Sequence, residues 1–268
     1  MGGSPPTIGN VETWDGSSWT ETTDLNTTRR SQASAAASNT AALCFGGYTA
    51  PPFPSGTQAV TESWNGSSWT EVADLNSDRY FLMGAGIYTS ALAYGGDGPP
   101  PGYDALTESW NGSTWTEVGD LNSARFGAGS TNGSSNTSAL CVGGEEPGTG
   151  VTAKNEEWNG SSWTEIADIS NSRYSLGGAG TSTSGIVFGG DAPGRVADTE
   201  EWNTGVAVGA WSTGGSLNTA RSNLAGAGAD NTASLAFGGA PPGAGLAITE
   251  SYNGSSWTEV ADLNTARS

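Results

Sequence analysis

The chain has 268 residues, 27 acidic and nine basic side chains, no histidine and a net charge of −18. Such a balance offers no basic footprint for phosphate backbones and argues against a nucleic-acid partner. Lack of histidine removes the commonest general base, and no apolar run reaches the length of a membrane-spanning helix.

Read from the N-terminus, Met1–Pro6 has no apolar stretch and does not read as a signal peptide. Trp14-Asp-Gly-Ser-Ser-Trp19 then opens a series of six related strings, starting at Trp14, Trp64, Trp110, Trp158, Trp202 and Tyr252, at spacings of 50, 46, 48, 44 and 50 residues. A period of about 40–50 residues with a Gly-Gly and a Trp in each unit is the signature of a propeller-type array. The 42 glycines could suggest disorder, but 11 tryptophans at a fixed period argue against it. One domain spanning 1–268 is expected, because a single repeat cannot bury its own apolar face.

The second unit shows the plan of the others. Phe81–Ile87 is a short apolar and small run, Ala91–Tyr94 a second, and Gly95-Gly96 ends it. A Pro/Gly loop from Asp97 to Asp104 leads to Ala105–Trp110, an Asn111-Gly112 turn and Thr114–Val118. Asn-Gly between alternating runs predicts a hairpin with a type I′ turn. Each unit therefore predicts four antiparallel strands, a to d. The a strands are rich in Gly and Ala, as at Gly84-Ala85-Gly86, which suits the crowded central axis. The b strands should fill the space between blades. Cys44 and Cys141 occupy one b-strand slot two units apart and read as buried small apolar residues rather than as a disulfide. The c and d strands carry most of the Glu, which is expected on exposed faces toward the rim, including Glu156-Glu157 and Glu200-Glu201. The fifth string, Trp202–Trp211, lacks Asn-Gly and predicts a wider hairpin.

The combination of an apolar run with Gly-Gly, an aromatic on strand c, Trp on strand d and a loop ending in Arg resembles the kelch repeat. In the second unit it reads Tyr94-Gly95-Gly96, Trp110, Trp115 and Asp120–Arg125. The resemblance covers almost the whole chain. It implies an all-β, kelch-like β-propeller, with Trp14, Trp64, Trp110, Trp158 and Trp202, and Arg79, Arg125, Arg173 and Arg221, as structural repeat positions. Six c–d pairs stand against only five a–b hairpins, near 31–47, 80–96, 126–144, 174–190 and 222–239. The expectation is a six-bladed design with five complete blades and an N-terminal half blade at 10–23. An uncompleted blade offers unpaired backbone and an apolar face, so self-association is expected there.

In an a–b–c–d meander the b–c loops and the d–a connections share one face. The b–c loops differ in sequence and supply the candidate binding residues Tyr48, Phe53, Asp97, Tyr103, Asp104, Glu145 and Asp191. The acidic residues have no calcium-loop spacing, so no metal is assigned. Asn-Gly-Ser matches a glycosylation pattern, but a hairpin turn already accounts for it. No catalytic residue and no cofactor is assigned. The expected function is non-enzymatic binding or structural display through the b–c loop face, with a protein or glycan ligand. A self-associating scaffold and a carbohydrate-active enzyme are the alternatives. The Ser/Thr/Asn/Gly richness and acidity resemble microbial or viral surface and tail-type proteins, so a soluble extracellular or virion-associated chain is expected.

Overall fold

The structure, a computed structural model, describes residues 1–3, 7–49, 55–99, 102–131, 133, 135–205, 209–241 and 245–268. It is all-β. The chain opens with a two-stranded sheet, β1 (Val11–Trp14) and β2 (Trp19–Thr22), which pair in register from Val11↔Thr22 to Trp14↔Trp19. Five four-stranded antiparallel sheets follow. Blade 1 is β3 (Ala33–Ser38), β4 (Ala41–Phe45), β5 (Thr61–Trp64) and β6 (Trp69–Glu71). Blade 2 is β7 (Met83–Ile87), β8 (Ser90–Tyr94), β11 (Thr107–Trp110) and β12 (Trp115–Glu117), with a small ribbon of β9 (Asp97–Gly98) and β10 (Gly102–Tyr103) in its b–c loop. Blade 3 is β13 (Gly129–Ser130), β14 (Ala139–Val142), β17 (Asn155–Trp158) and β18 (Trp163–Ile166), with the ribbon β15 (Glu145–Glu146) and β16 (Gly150–Val151). Blade 4 is β19 (Gly177–Gly180), β20 (Ser184–Phe188), β21 (Thr199–Asn203) and β22 (Ala210–Thr213). Blade 5 is β23 (Ala225–Asp230), β24 (Ala233–Phe237), β25 (Thr249–Tyr252) and β26 (Trp257–Glu259). The expectation of a six-bladed design is thus corrected: there are five blades, and residues 10–23 form a separate two-stranded sheet.

The inner strands neighbour one another in the order β3, β7, β13, β19, β23. Glycine allows this close approach: a Cβ on Gly178 would lie 2.4 Å from the Ser130 carbonyl oxygen. Apolar b-strand side chains fill the gaps between blades, and Leu43, Phe45, Leu92, Tyr94, Leu140, Ile186 and Phe188 have no exposed surface. Cys44 and Cys141 lie in that layer as free, fully buried thiols, and burial pushes the Cys141 thiol up to about 12.

Two local expectations are corrected. The c–d turns are not type I′, since only the glycine takes a positive φ (Gly66, +94°). The turn is held by the asparagine side chain, whose Oδ1 accepts from the Ser67 and Ser68 amides at 2.9 and 3.0 Å. Such an Asx turn explains why Asp15 replaces Asn in the first copy with the same contacts, at 2.8 Å each. The wider fifth hairpin still pairs Trp202 with Trp211.

The second correction concerns charge. Glu62, Glu108, Glu156, Glu200 and Glu250 are buried rather than exposed on the rim. Each is gripped by the loop that leaves the preceding sheet, which is the β1–β2 sheet for Glu62 and the preceding blade for the other four. Glu108 accepts from Arg79 Nη2 at 2.9 Å through one oxygen, and from the Asn76 amide and Asn76 Nδ2 at 2.7 Å each through the other. Arg29–Glu62 (2.9 Å), Arg125–Glu156 (2.7 Å), Arg173–Glu200 (3.0 Å) and Arg221–Glu250 repeat the pair. The conserved geometry gives each guanidinium a carboxylate and nearby backbone carbonyls, so the buried charge is compensated. Arg267 and Asn264 hold Glu12 of β1 in the same way, and Trp19 Nε1 donates to Thr249 Oγ1 at 3.0 Å. The β1–β2 sheet therefore latches onto blade 5 on one side. On the other, the loop after it latches onto Glu62 of blade 1.

Candidate binding face

One backbone rule positions most of the candidate residues. The residue after each latch arginine forms an antiparallel bridge with the residue after Gly-Gly of the next blade. The bridges are Arg30↔Tyr48, Tyr80↔Asp97, Phe126↔Glu145, Tyr174↔Asp191 and Ser222↔Ala240. Tyr48, Asp97, Glu145 and Asp191 thus hold equivalent places on one face. Their partners Tyr80, Phe126 and Tyr174 stand beside them.

The next residue along each d–a connection builds a collar around the axis. Ser31, Phe81, Ser175 and Asn223 all take left-handed backbone, φ +50° to +55°, as does Gly127. Each amide donates to the carbonyl of its predecessor: Phe81 to Ser31 at 2.8 Å, Gly127 to Phe81 at 3.0 Å, Ser175 to Gly127 at 2.6 Å and Asn223 to Ser175 at 2.8 Å. The collar surrounds an axial cavity of about 570 Å³. That volume lies in the range of small-molecule sites.

Aromatic rings run along this face from blade to blade. Tyr48 packs on Tyr80 (5.4 Å between centroids), Tyr80 on Phe81 (5.2 Å), Phe81 on Phe126 (5.7 Å), Phe126 on Tyr103 (4.6 Å) and on Tyr174 (6.2 Å). The Arg30 guanidinium sits 5.4 Å over the Tyr48 ring. Hydroxyls tie the belt to the acidic residues: Tyr80 donates to Asp97 at 3.1 Å and Tyr103 to Glu145 at 3.0 Å. Burial, then Asp97, pushes Tyr80 up to about 12, so it stays a hydrogen-bond donor at neutral pH.

Most of the sequence-predicted residues meet here. Tyr48 is buried, whereas Tyr103, Asp97, Glu145 and Asp191 are half-buried on the face. Asp191 accepts from the Gly194 amide at 2.8 Å and faces Arg195 at 3.8 Å. Asp104 stands apart, half-buried near Arg79, and burial raises its carboxyl pKa. Phe53 lies outside the described residues. Sequence reasoning missed Tyr80, Phe81, Phe126 and Tyr174. Their signal is an aromatic directly after a latch arginine, in Arg79-Tyr80-Phe81, Arg125-Phe126 and Arg173-Tyr174. Among the described residues no group of three or more His, Cys, Asp or Glu could hold a metal. Among the described residues no helix is long and apolar enough to cross a membrane. Chemically the face offers flat apolar rings bordered by carboxylates and phenolic hydroxyls, a surface suited to stacking and hydrogen bonding.

No family model and no curated protein matches the chain, and the kelch likeness stands on the repeated residues alone. Among solved structures the chain is similar to YjhT, with a TM-score of 0.71 and 14% identity, over 96% of this chain and 98% of that one. At that identity the likeness speaks for the fold: the chain is a β-propeller of four-stranded antiparallel blades.

Proposed function

We propose that the chain is a non-enzymatic recognition module that holds a glycan at the axial cavity, on the b–c loop face. The aromatic belt of Tyr48, Tyr80, Phe81, Tyr103, Phe126 and Tyr174 carries this reading, because Tyr48, Tyr80 and Phe81 line the cavity, the rings beyond Tyr48 are half-buried rather than buried, and ring faces bordered by hydrogen-bonding groups match a sugar's apolar and hydroxylated sides. Carboxylates of Asp97, Glu145 and Asp191 along the belt, and the net charge of −18, favour an uncharged glycan over an acidic one. Binding of a glycan array, followed by calorimetry on a hit, tests the reading. Removing one ring should cost about 1–2 kcal/mol, hence roughly tenfold in affinity, in Tyr80→Ala and in Phe126→Ala. Tyr88→Ala, an exposed ring on the a–b turn side, should leave the affinity unchanged. Equal affinity in all three variants would move the site off this face.

A further inference from the structure

The aromatic belt has two parts that stand differently to the axial cavity. Tyr48, Tyr80 and Phe81 line the cavity, whereas Phe126, Tyr103 and Tyr174 cluster beyond its lining. Tyr103 comes from the b–c ribbon of blade 2, and Phe126 and Tyr174 from the connections that enter blades 3 and 4. Phe126 is the centre of this outer cluster, 4.6 Å from Tyr103 and 6.2 Å from Tyr174 between ring centroids. All three rings are half-buried. The border of the cluster is polar: Tyr103 donates to Glu145 at 3.0 Å, and Tyr174 is bridged through its backbone to Asp191.

Where the two parts meet, the collar lacks a side chain. Its members Ser31, Phe81, Ser175 and Asn223 line the cavity and each carries one. The fifth member, Gly127, also lines the cavity and directly follows Phe126, whose ring lies 5.7 Å from that of Phe81. Crowding does not force glycine here, because a Cβ on Gly127 would meet nothing nearer than 3.5 Å. Nor does the backbone, since Phe81 and Ser175 on either side take the same left-handed region with side chains attached. What glycine supplies is a notch in the rim between the cavity and the Phe126 cluster.

We propose that this face takes a neutral oligosaccharide rather than a free sugar, with one residue in the axial cavity and the next over Phe126, the chain passing through the notch at Gly127. This rests on the glycan reading and adds a second subsite to it. In the cavity the apolar side of a sugar meets Tyr80 and Phe81. The collar order Phe81, Gly127, Ser175, Asn223 puts the polar side chains of Ser175 and Asn223 beyond the notch from Phe81, where they meet the sugar's hydroxyls. Over the outer cluster, the Phe126 ring takes the apolar side of the next residue, and the carboxylates of Glu145 and Asp191 accept from its hydroxyls.

Calorimetry with sugars of increasing length tests it. The probes are glucose, mannose, galactose and N-acetylglucosamine, each as the free sugar and as its linear disaccharide and trisaccharide. For the sugar that binds, the disaccharide should bind roughly tenfold more tightly than the free sugar, the worth of one further ring contact. Phe126→Ala should remove that gain and leave the affinity for the free sugar unchanged. Tyr80→Ala should weaken free sugar and disaccharide alike. Gly127→Asn fills the notch with a residue that tolerates left-handed backbone, as Asn223 does in the same collar. It should also bring the disaccharide down to the affinity of the free sugar, with circular dichroism unchanged. Equal affinity of the wild type for free sugar, disaccharide and trisaccharide overturns the second subsite and leaves the glycan reading standing. An equal loss for free sugar and disaccharide in Phe126→Ala does the same, since Phe126 would then belong to the first subsite. Silence of the whole panel overturns both.

Discussion

Phe81 shows how one residue can serve the face at the expense of its own backbone. Its φ of +50° is unusual for a bulky side chain, and an L-residue there costs about 1–2 kcal/mol. The collar over-determines that conformation, since the Phe81 amide donates to Ser31 and its carbonyl accepts from Gly127. What the side chain contributes is ring surface, between Tyr80 and Phe126. Phe81→Gly removes the strain but also frees the unfolded chain and deletes the ring contacts. These effects oppose one another, so urea unfolding should report a change within about 1 kcal/mol. Glycan affinity should fall roughly tenfold in the same variant. A stability loss well beyond that bound would mean that the ring is part of the core, and the belt would lose its clearest binding member.

At the scale of strands and turns, the blades are joined by the Arg–Glu latch as much as by apolar packing. Glu108 and Glu117 are register partners on neighbouring strands, yet the first is buried under Arg79 and Asn76 and the second is exposed. Glu108→Gln leaves Arg79 with a weakened partner and should cost about 3–5 kcal/mol, whereas Glu117→Gln should stay within about 0.5 kcal/mol. Chemical denaturation of the two variants separates them, and equal effects would remove the latch from the account of stability. The pair also shows where sequence stops being legible. The repeat period, the strand runs and the arginine slot all declare themselves locally. The partner of Arg79 does not, because it lies one unit later, on a strand with both faces covered by neighbouring blades. Two-residue alternation then no longer separates core from solvent. The aromatic belt was hidden for a related reason: Tyr80, Phe126 and Tyr174 follow the arginines of three different units, and only the ring brings them together. Tyr48, Asp97, Glu145 and Asp191 were legible because the loops that carry them vary while their Gly-Gly frame does not.

For the molecule as a whole, the β1–β2 sheet is the piece on which closure depends. It touches blade 1 through the Glu62 latch and blade 5 through Arg267, Asn264 and the Trp19–Thr249 bond. Neither of its strands joins a four-stranded sheet, so its hold on blade 5 rests on fewer contacts than the hold between whole blades. A repeat array of this kind is stabilised mainly between nearest neighbours, and its weakest junction should open first. Arg267→Ala removes the guanidinium that serves Glu12 and the Asn10 carbonyl while leaving every latch between whole blades intact. Hydrogen exchange should then quicken at residues 11–22 and along β24 and β25, with β14 and β20 unchanged. Should β14 and β20 quicken to the same degree, the five blades and the β1–β2 sheet unfold as one unit, and closure at this junction carries the stability of the entire ring.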